Sequence, residues 1–377
     1  MRILSIQPVI TGMAMHPFYG GKDVGCCRIA EACLKAGHEY FIMPPSEPQE
    51  AFFTRAMHRF GDRGHYATVL PNRSPKLLNR PAAGVATIDN PEHFRVCLKE
   101  NVADVKPDII HCHYNRTELA SAINRVTFKG SRVCTQYSTG VAKKLNLYDH
   151  VICLSDEQSR DVLKAHPSLK NKITLIGHDL GDEFMEPLGP APGKSVLWAG
   201  TMRGNAAKRK GLDILLQAYK CSPALNSTPL IVSGDGPGRK ELESYAVKNN
   251  LNVTFRGWRT HEELASDMRN AFVFCMPSRN EGLGYVYVEA LASGLPIVGF
   301  PRSVNSLSNE LGIDVGLPFE TRKESPDELA DKLLSILMDN DCWSRNRLNL
   351  AACTRAAYAP WSNAAKTIEL YQRLTGG

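Results

Sequence analysis

Residues Phe272 to Phe300 read FVFCMPSRNEGLGYVYVEALASGLPIVGF, and the order of signals in this stretch decides the fold. An apolar run of strand length breaks at Pro277, and the Gly-rich turn Glu281-Gly282-Leu283-Gly284 follows. Val288, Leu291 and Ala292 then recur at helical spacing as far as Gly294, and Pro296 opens a second apolar run. Strand, loop, helix and strand in that order make one unit of a parallel sheet.

Two glutamates mark the unit, Glu281 and Glu289. At about 1.5 Å per helical residue they stand roughly 12 Å apart if helix links them, close to the distance between the two hydroxyl-rich ends of a sugar nucleotide. The interval alone selects nothing, because Glu31/Glu39, Glu39/Glu47, Glu92/Glu100 and Glu320/Glu328 share it. Position separates the fifth pair. Its first carboxylate lies in a Gly-rich turn after a strand and before a helix N-terminus, where free backbone N–H groups hold phosphate and neighbouring acids take hydroxyls.

The chain of 377 residues, 43% of them hydrophobic, is long for one core, so two α/β domains of about 180 residues are expected. No apolar run reaches the roughly 18 residues that span a bilayer, and the first residues are strand-like, which predicts a soluble, cytoplasmic protein. Eleven cysteines without a C-x-x-C pair, several in apolar runs (Cys112, Cys134, Cys153, Cys275), read as buried free thiols. The net charge of +6 is shared evenly: residues 1 to 190 hold 23 Lys+Arg against 20 Asp+Glu. That balance excludes a basic nucleic-acid-binding body. One local excess, residues 51–80, carries Arg55, Arg59, Arg63, Arg73, Lys76 and Arg80 among Phe52, Phe53, Met57 and Phe60. It reads either as a solvated insertion or acceptor loop, or as a peripheral contact with anionic lipid at the inner face of a membrane.

Along the chain, Arg2 to Gln7 is a first strand, followed by Gly20-Gly21 and a helix from about Asp23 to Lys35. Adjacent glycines there allow close backbone approach to a ligand. Residues 44 to about 90 show no period, and a helix near Pro91 to Val102 follows. Asp108 to Cys112 is a strand with His111 and His113 at its C-terminal end, on one face if the strand continues, so one of them faces a ligand or both are core or capping histidines. A zinc site is disfavoured, since no second ligand pair stands at metal spacing. After a helix from Thr117, strands recur near Arg132, Val151 and Lys172. The Pro- and Gly-rich residues 182–194 read as a linker. The second half repeats the alternation, with strands Ser195 to Ala199, Pro229 to Ser233 and Asn252 to Phe255, which argues for a parallel sheet covered by helices. Arg239 stands where G-x-G-x-x-G would need its third glycine after Gly234 and Gly236, which removes the support for a nicotinamide enzyme. Asp339-Asn340-Asp341 falls between two helices and reads as a cap or turn. The tail helix to about Leu374 presents Ala365, Ile368 and Tyr371 on one side.

PSRNEGLGYVYVEALASGLPIV, PDIIHCHY and the late Trp361 helix together resemble the retaining nucleotide-sugar glycosyltransferases of group 1. The resemblance is strong from Ser195 to Phe300 and covers most of the chain except residues 44–90. It implies an α/β GT-B fold of two facing Rossmann-like domains, an acceptor-side domain at 1–181 joined by a returning helix at 360–377, and a donor-nucleotide domain at 182–359. It also implies a nucleoside-diphosphate sugar, UDP by default, as co-substrate, a carbohydrate or other hydroxyl acceptor, and no separate cofactor or metal. By the same resemblance Glu281 and the N–H groups of Gly282, Leu283 and Gly284 face the donor sugar and diphosphate. Glu289 takes the ribose hydroxyls, Lys210 neutralises the leaving diphosphate, and Gly20 and Gly21 close over it. His113 contacts the sugar and Arg256 borders the base. The family's usual Gly-Arg-Leu reads Gly200-Thr201-Met202 here, so Arg203 or Arg209 is expected to replace the arginine that Thr201 displaces. A sugar-nucleotide 2-epimerase, or a non-catalytic nucleotide-sugar binder, remains the alternative to a transferase.

Overall fold

In the computed structural model, which describes residues 1–7, 21–44, 56–60, 65–70, 91–113, 116–137, 140–190, 193–202 and 205–376, the first half forms the eight strands of one sheet. These are β1 (Arg2–Ile6), β2 (Glu39–Met43), β3 (Ala56–Phe60), β4 (His65–Val69), β5 (Ile109–Cys112), β6 (Ser131–Gln136), β7 (His150–Cys153) and β8 (Ile173–Leu175). Alternation divides their side chains between two cores. Leu4, Ile6, Ile110, Cys134 and Val151 pack with Phe94, Leu98, Leu119 and Ile123 of helices Pro91–Val105 and Thr117–Asn124. Ile3, Ile109, Val133 and Ile152 pack on the other side with Ala30 and Cys33 of helix Gly21–Lys35, and with Leu370 and Tyr371 of helix Ser362–Thr375.

Among the described residues the strands join in the order β3-β4-β2-β1-β5-β6-β7-β8. Every pairing is parallel except the β3–β4 hairpin. That hairpin occupies part of residues 44–90, for which the sequence predicted no element. Its strands are five residues long and lie at the sheet's edge, too short to establish a period. Of the basic segment at 51–80, Arg59 lies in edge strand β3, while Arg55, Arg63, Arg73, Lys76 and Arg80 lie outside the described residues.

The second half forms β9 (Val196–Ala199), β10 (Leu230–Ser233), β11 (Val253–Gly257), β12 (Val273–Met276), β13 (Ile297–Gly299) and β14 (Gly316–Pro318), in the order β11-β10-β9-β12-β13-β14. All pairings are parallel. Numbered within this half, the order is 3-2-1-4-5-6, the doubly wound arrangement of dinucleotide-binding sheets.

The chain divides into two compact units, one taking β1, Lys22–Asp179 and Trp361–Gly377, the other chiefly Leu180–Pro360. Two expectations change in detail. Residues 182–190, read as a linker, are strapped to the second unit. Phe184 is fully buried, Arg347 donates to the carbonyls of Gly189 (3.0 Å) and Pro190 (2.9 Å), and Arg355 donates to those of Met185 and Glu186. A stretch without period is held here by arginine side chains that meet its carbonyls. In the tail helix the buried stripe is Asn363, Ala364, Thr367, Leu370 and Tyr371, with Ala365 exposed. Two polar residues join that stripe because each finds a partner in the helix's own turn or in the His178 carbonyl.

Candidate active site

β9 and β12 are neighbours at the point where the strand order of the second unit reverses, the place where open α/β sheets carry ligands at the C-terminal ends of their strands. The first loop, from Gly200, ends in the short helix Ala206–Arg209 and Lys210. Trp198 of β9 turns its indole N–H back onto the Lys210 carbonyl at 3.2 Å, which anchors the loop's end to the strand it left. Gly211 follows at φ +74°, and a Cβ there would lie 2.1 Å from the Pro277 carbonyl oxygen, so only glycine lets the two loops touch backbone to backbone. The second loop begins at that Pro277. Its carbonyl also accepts from Thr321 Oγ1 at 2.6 Å, and the main-chain N–H of Arg279 donates to the Arg209 carbonyl at 2.8 Å.

This lacing brings three predicted residues together. Glu281 Oε2 lies 3.6 Å from Lys210 Nζ and 3.7 Å from Arg209 Nη1, and it is a buried oxygen with no hydrogen bond. The distances are those of ion pairs, longer than hydrogen bonds, so the carboxylate keeps its accepting capacity for another donor. Lys210 Nζ also lies 3.5 Å from the Met276 sulfur at the end of β12. The Gly282 carbonyl is taken by Ser303 Oγ at 2.8 Å. Gly284, at φ +78°, turns the chain into helix Tyr285–Ala292, whose first N–H groups receive no side-chain cap from it. A cationic pair, a carboxylate and a helix N-terminus thus share one loop cluster, a combination that accepts a polyhydroxylated anion.

Glu289 lies on this helix and is buried to 5% exposure. The 12 Å spacing argument holds for only half the interval, because helix starts at Tyr285 and the residues before it are loop. Tyr287 holds helix and sheet in register, donating to the Met276 carbonyl (2.5 Å) and accepting from the Phe300 N–H (3.1 Å), and burial pushes its phenol well above the usual range. The glutamate pairs that share the interval are different in kind. Glu31 and Glu92 make ion pairs with Lys35 and Arg95 on their own helices, Glu39 stands 4.0 Å from Arg2, and Glu328 closes a capping box with Ser325.

The other predicted donor residues are placed as follows. Thr201 precedes the fully buried Met202, whose N–H donates to the Asp235 carbonyl at 2.9 Å, which fastens the β9 loop to the β10 loop. Of the two arginines expected to replace the one Thr201 displaces, Arg209 stands beside Glu281, and Arg203 lies outside the described residues, as does Gly20. Gly21 opens helix Gly21–Lys35. Arg256, at the end of β11, is paired with the buried Asp267, which also accepts from Arg259 (3.1 Å) and Ser233 Oγ (2.8 Å). Its guanidinium thus belongs to a cluster centred on Asp267.

In the first unit, the sheet reverses between β1 and β5, and His113 stands at that point, its N–H donating to the Ile6 carbonyl at 3.1 Å. Its Nδ1 is 3.1 Å from Tyr137 Oη. His111 and His113 do share one face, with ring centroids 3.9 Å apart. His111 is the core member. It is held between Tyr371 Oη (2.5 Å) and Thr135 Oγ1 (2.8 Å), and burial lowers its pKa to about 3, so it is neutral at pH 7. Sequence reasoning missed Tyr137, Arg279 and Asp213. The last two form a bidentate pair whose only sequence signal was the position of Arg279 inside PSRNEG.

Residues 201–354 match the family model described as Glycosyl transferases group 1. The chain is 29% identical over 194 residues to an uncharacterized glycosyltransferase of Methanocaldococcus jannaschii, covering 51% of each. It is 31% identical over 148 residues to a GDP-mannose-dependent alpha-(1-6)-phosphatidylinositol monomannoside mannosyltransferase of Mycobacterium tuberculosis, covering 35% of this chain and 36% of that one. It is 30% identical over 274 residues to a D-inositol 3-phosphate glycosyltransferase of Corynebacterium urealyticum, covering 64% and 59%. These matches thus span about a third to three-fifths of the relatives' lengths. Among solved structures, sucrose-phosphate synthase from Thermosynechococcus elongatus superposes with a TM-score of 0.75 at 20% identity over 100% of both chains. WaaG, a glycosyltransferase involved in lipopolysaccharide biosynthesis, superposes at 0.66 and 14% identity, again over 100% of both. The two-sheet α/β architecture is the GT-B fold.

Proposed function

We propose that the chain, whose residues 201–354 match the glycosyl transferases group 1 model, moves a sugar, with retention, from a nucleoside-diphosphate sugar to a hydroxyl acceptor without a metal or other cofactor. The observation that carries this reading is the placement of Lys210 and Arg209 beside the unbonded oxygen of Glu281 at the sheet's reversal point. UDP is the default nucleotide of the donor, and the mycobacterial relative's dependence on GDP-mannose puts GDP-sugars beside it.

In this mechanism Glu281 accepts hydrogen bonds from the donor sugar's hydroxyls, and Lys210 and Arg209 take up the negative charge that grows on the diphosphate as the glycosidic bond breaks. The transition state is oxocarbenium-like. The departing diphosphate oxygen receives the acceptor's proton on the face from which the acceptor attacks, which gives retention without a carboxylate nucleophile. The two cations and the helix N-terminus at Tyr285 supply the charge stabilisation that a divalent ion would otherwise give. Glu289 binds the ribose, and His113 contributes a sugar contact.

Thermal-shift measurements against UDP-, GDP-, ADP- and dTDP-sugars identify the donor. Release of nucleoside diphosphate with and without candidate acceptors then distinguishes transfer from epimerisation and from binding alone. Stabilisation by one class of donor and acceptor-dependent release are the expected results; no shift with any of the four rejects the reading.

A further inference from the structure

Arg279 and Asp213 lie outside the residues assigned to the donor, yet they hold together the two loops that carry Lys210 and Glu281. The guanidinium of Arg279 meets the Asp213 carboxylate in a bidentate pair, Nη1 to Oδ1 at 2.7 Å and Nη2 to Oδ2 at 3.0 Å, and Nη1 also donates to the Lys208 carbonyl. The main-chain N–H of Arg279 donates to the Arg209 carbonyl at 2.8 Å, and Arg209 returns the contact by donating to the Asn280 carbonyl at 3.2 Å. Residues 208–210 and 279–281 are therefore joined at three successive points, with Asp213, in the first turn of helix Leu212–Cys221, as the fixed end. Both side chains of the ion pair are about a quarter exposed, enough burial to keep a planar two-point contact in one geometry.

We propose that Arg279 and Asp213 form a positioning clasp, which sets the reach of Lys210 and Arg209 toward Glu281 and thereby makes the cationic site fit a diphosphate. The clasp rests on the reading of that site as a diphosphate site. Removing it leaves the two cations on the chain but frees their loop, so anion binding weakens although no ligand-contacting group has been lost.

The sign of one substitution separates geometry from simple charge. Asp213→Asn deletes a negative charge near an anion site, so long-range electrostatics alone predicts tighter binding of inorganic pyrophosphate, UDP and GDP. The clasp predicts binding weaker by about fivefold or more, by titration calorimetry. Arg279→Lys keeps the charge and loses the bidentate contact. The clasp predicts a comparable loss, and a double variant Arg279→Lys/Asp213→Asn little worse than either alone. Thermal melts of each variant verify folding, and Asp213→Glu, which retains a two-oxygen acceptor, is expected to restore part of the affinity. Asp213→Asn or Arg279→Lys protein that melts normally and binds pyrophosphate as well as the native chain overturns the clasp alone. Native protein that binds none of pyrophosphate, UDP and GDP overturns the diphosphate reading of the site and the clasp with it.

Discussion

Glu281 and Lys210 are 71 positions apart in the chain and 3.6 Å apart in space, and each is useful only because of the other. Without Lys210 the buried carboxylate oxygen loses a compensating cation, and without Glu281 the cation loses the carboxylate it faces. Glu281→Ala and Lys210→Ala are each expected to lower transfer by more than roughly tenfold with the melting transition retained; unchanged turnover in either would remove that residue from the site. Glu289→Ala is expected to raise the donor KM more than it lowers kcat, read from initial rates at varied donor concentration. Gly211→Ala should destabilise the second unit by about 2 kcal/mol or more, in urea unfolding, since it adds a methyl at φ +74° against the Pro277 carbonyl.

At the scale of elements, the helix Ser362–Thr375 shows how distant chain segments complete one another. Its N-cap residue, Trp361, sits at φ +68° and supplies no side-chain cap. Asp179 does so instead from about 180 positions away, accepting from the N–H groups of Asn363 (2.7 Å) and Ala364 (2.9 Å). Asp179→Ala should therefore cost the first unit about 1–2 kcal/mol in urea unfolding, and Asp179→Asn, which keeps one accepting oxygen, measurably less. Caps made within a segment are legible in sequence, as in Thr260/Glu263 and Ser325/Glu328, where T-x-x-E and S-x-x-E close capping boxes. A cap borrowed from Asp179 leaves no such pattern. The strap at 182–190 escaped the sequence for a related reason, since the arginines that hold it, Arg347 and Arg355, lie in a distant helix.

For the molecule as a whole, the two units differ in what they bury. His111, His150 and His178, all in the first unit, have pKa values lowered to about 3, 4 and 3, in each case first by burial, with Arg373 and Lys172 adding to the effect at His150 and Arg28 at His178. A histidine whose folded pKa lies below its unfolded value binds fewer protons when folded, so stability is full above about pH 6.5 and falls as pH drops toward 3 to 4. Asp179, raised by burial, acts in the opposite direction at the acid end of that range. The first unit is expected to lose about 2 kcal/mol for each of the two most buried histidines between pH 7 and pH 5, followed by urea unfolding at both pH values. His111→Gln should flatten that slope, and a slope unchanged by the substitution would contradict a buried neutral imidazole.

The sequence by itself determined the local order of this protein: strand, loop and helix repeated along two halves, the PSRNEG turn before a helix, and the two histidines on one side at the C-terminal end of β5. Those signals depend on side-chain period and on glycine or proline at fixed offsets, which a linear chain displays directly. Only the tertiary structure decided which loops meet. It placed Arg209 beside Glu281, paired Arg256 with Asp267, made His111 a core residue, and introduced Arg279 and Asp213 as partners that join the two loops. Such contacts arise where packing brings separate elements together, as at the strand-order reversal that joins the loops of Lys210 and Glu281, and no local pattern records that adjacency.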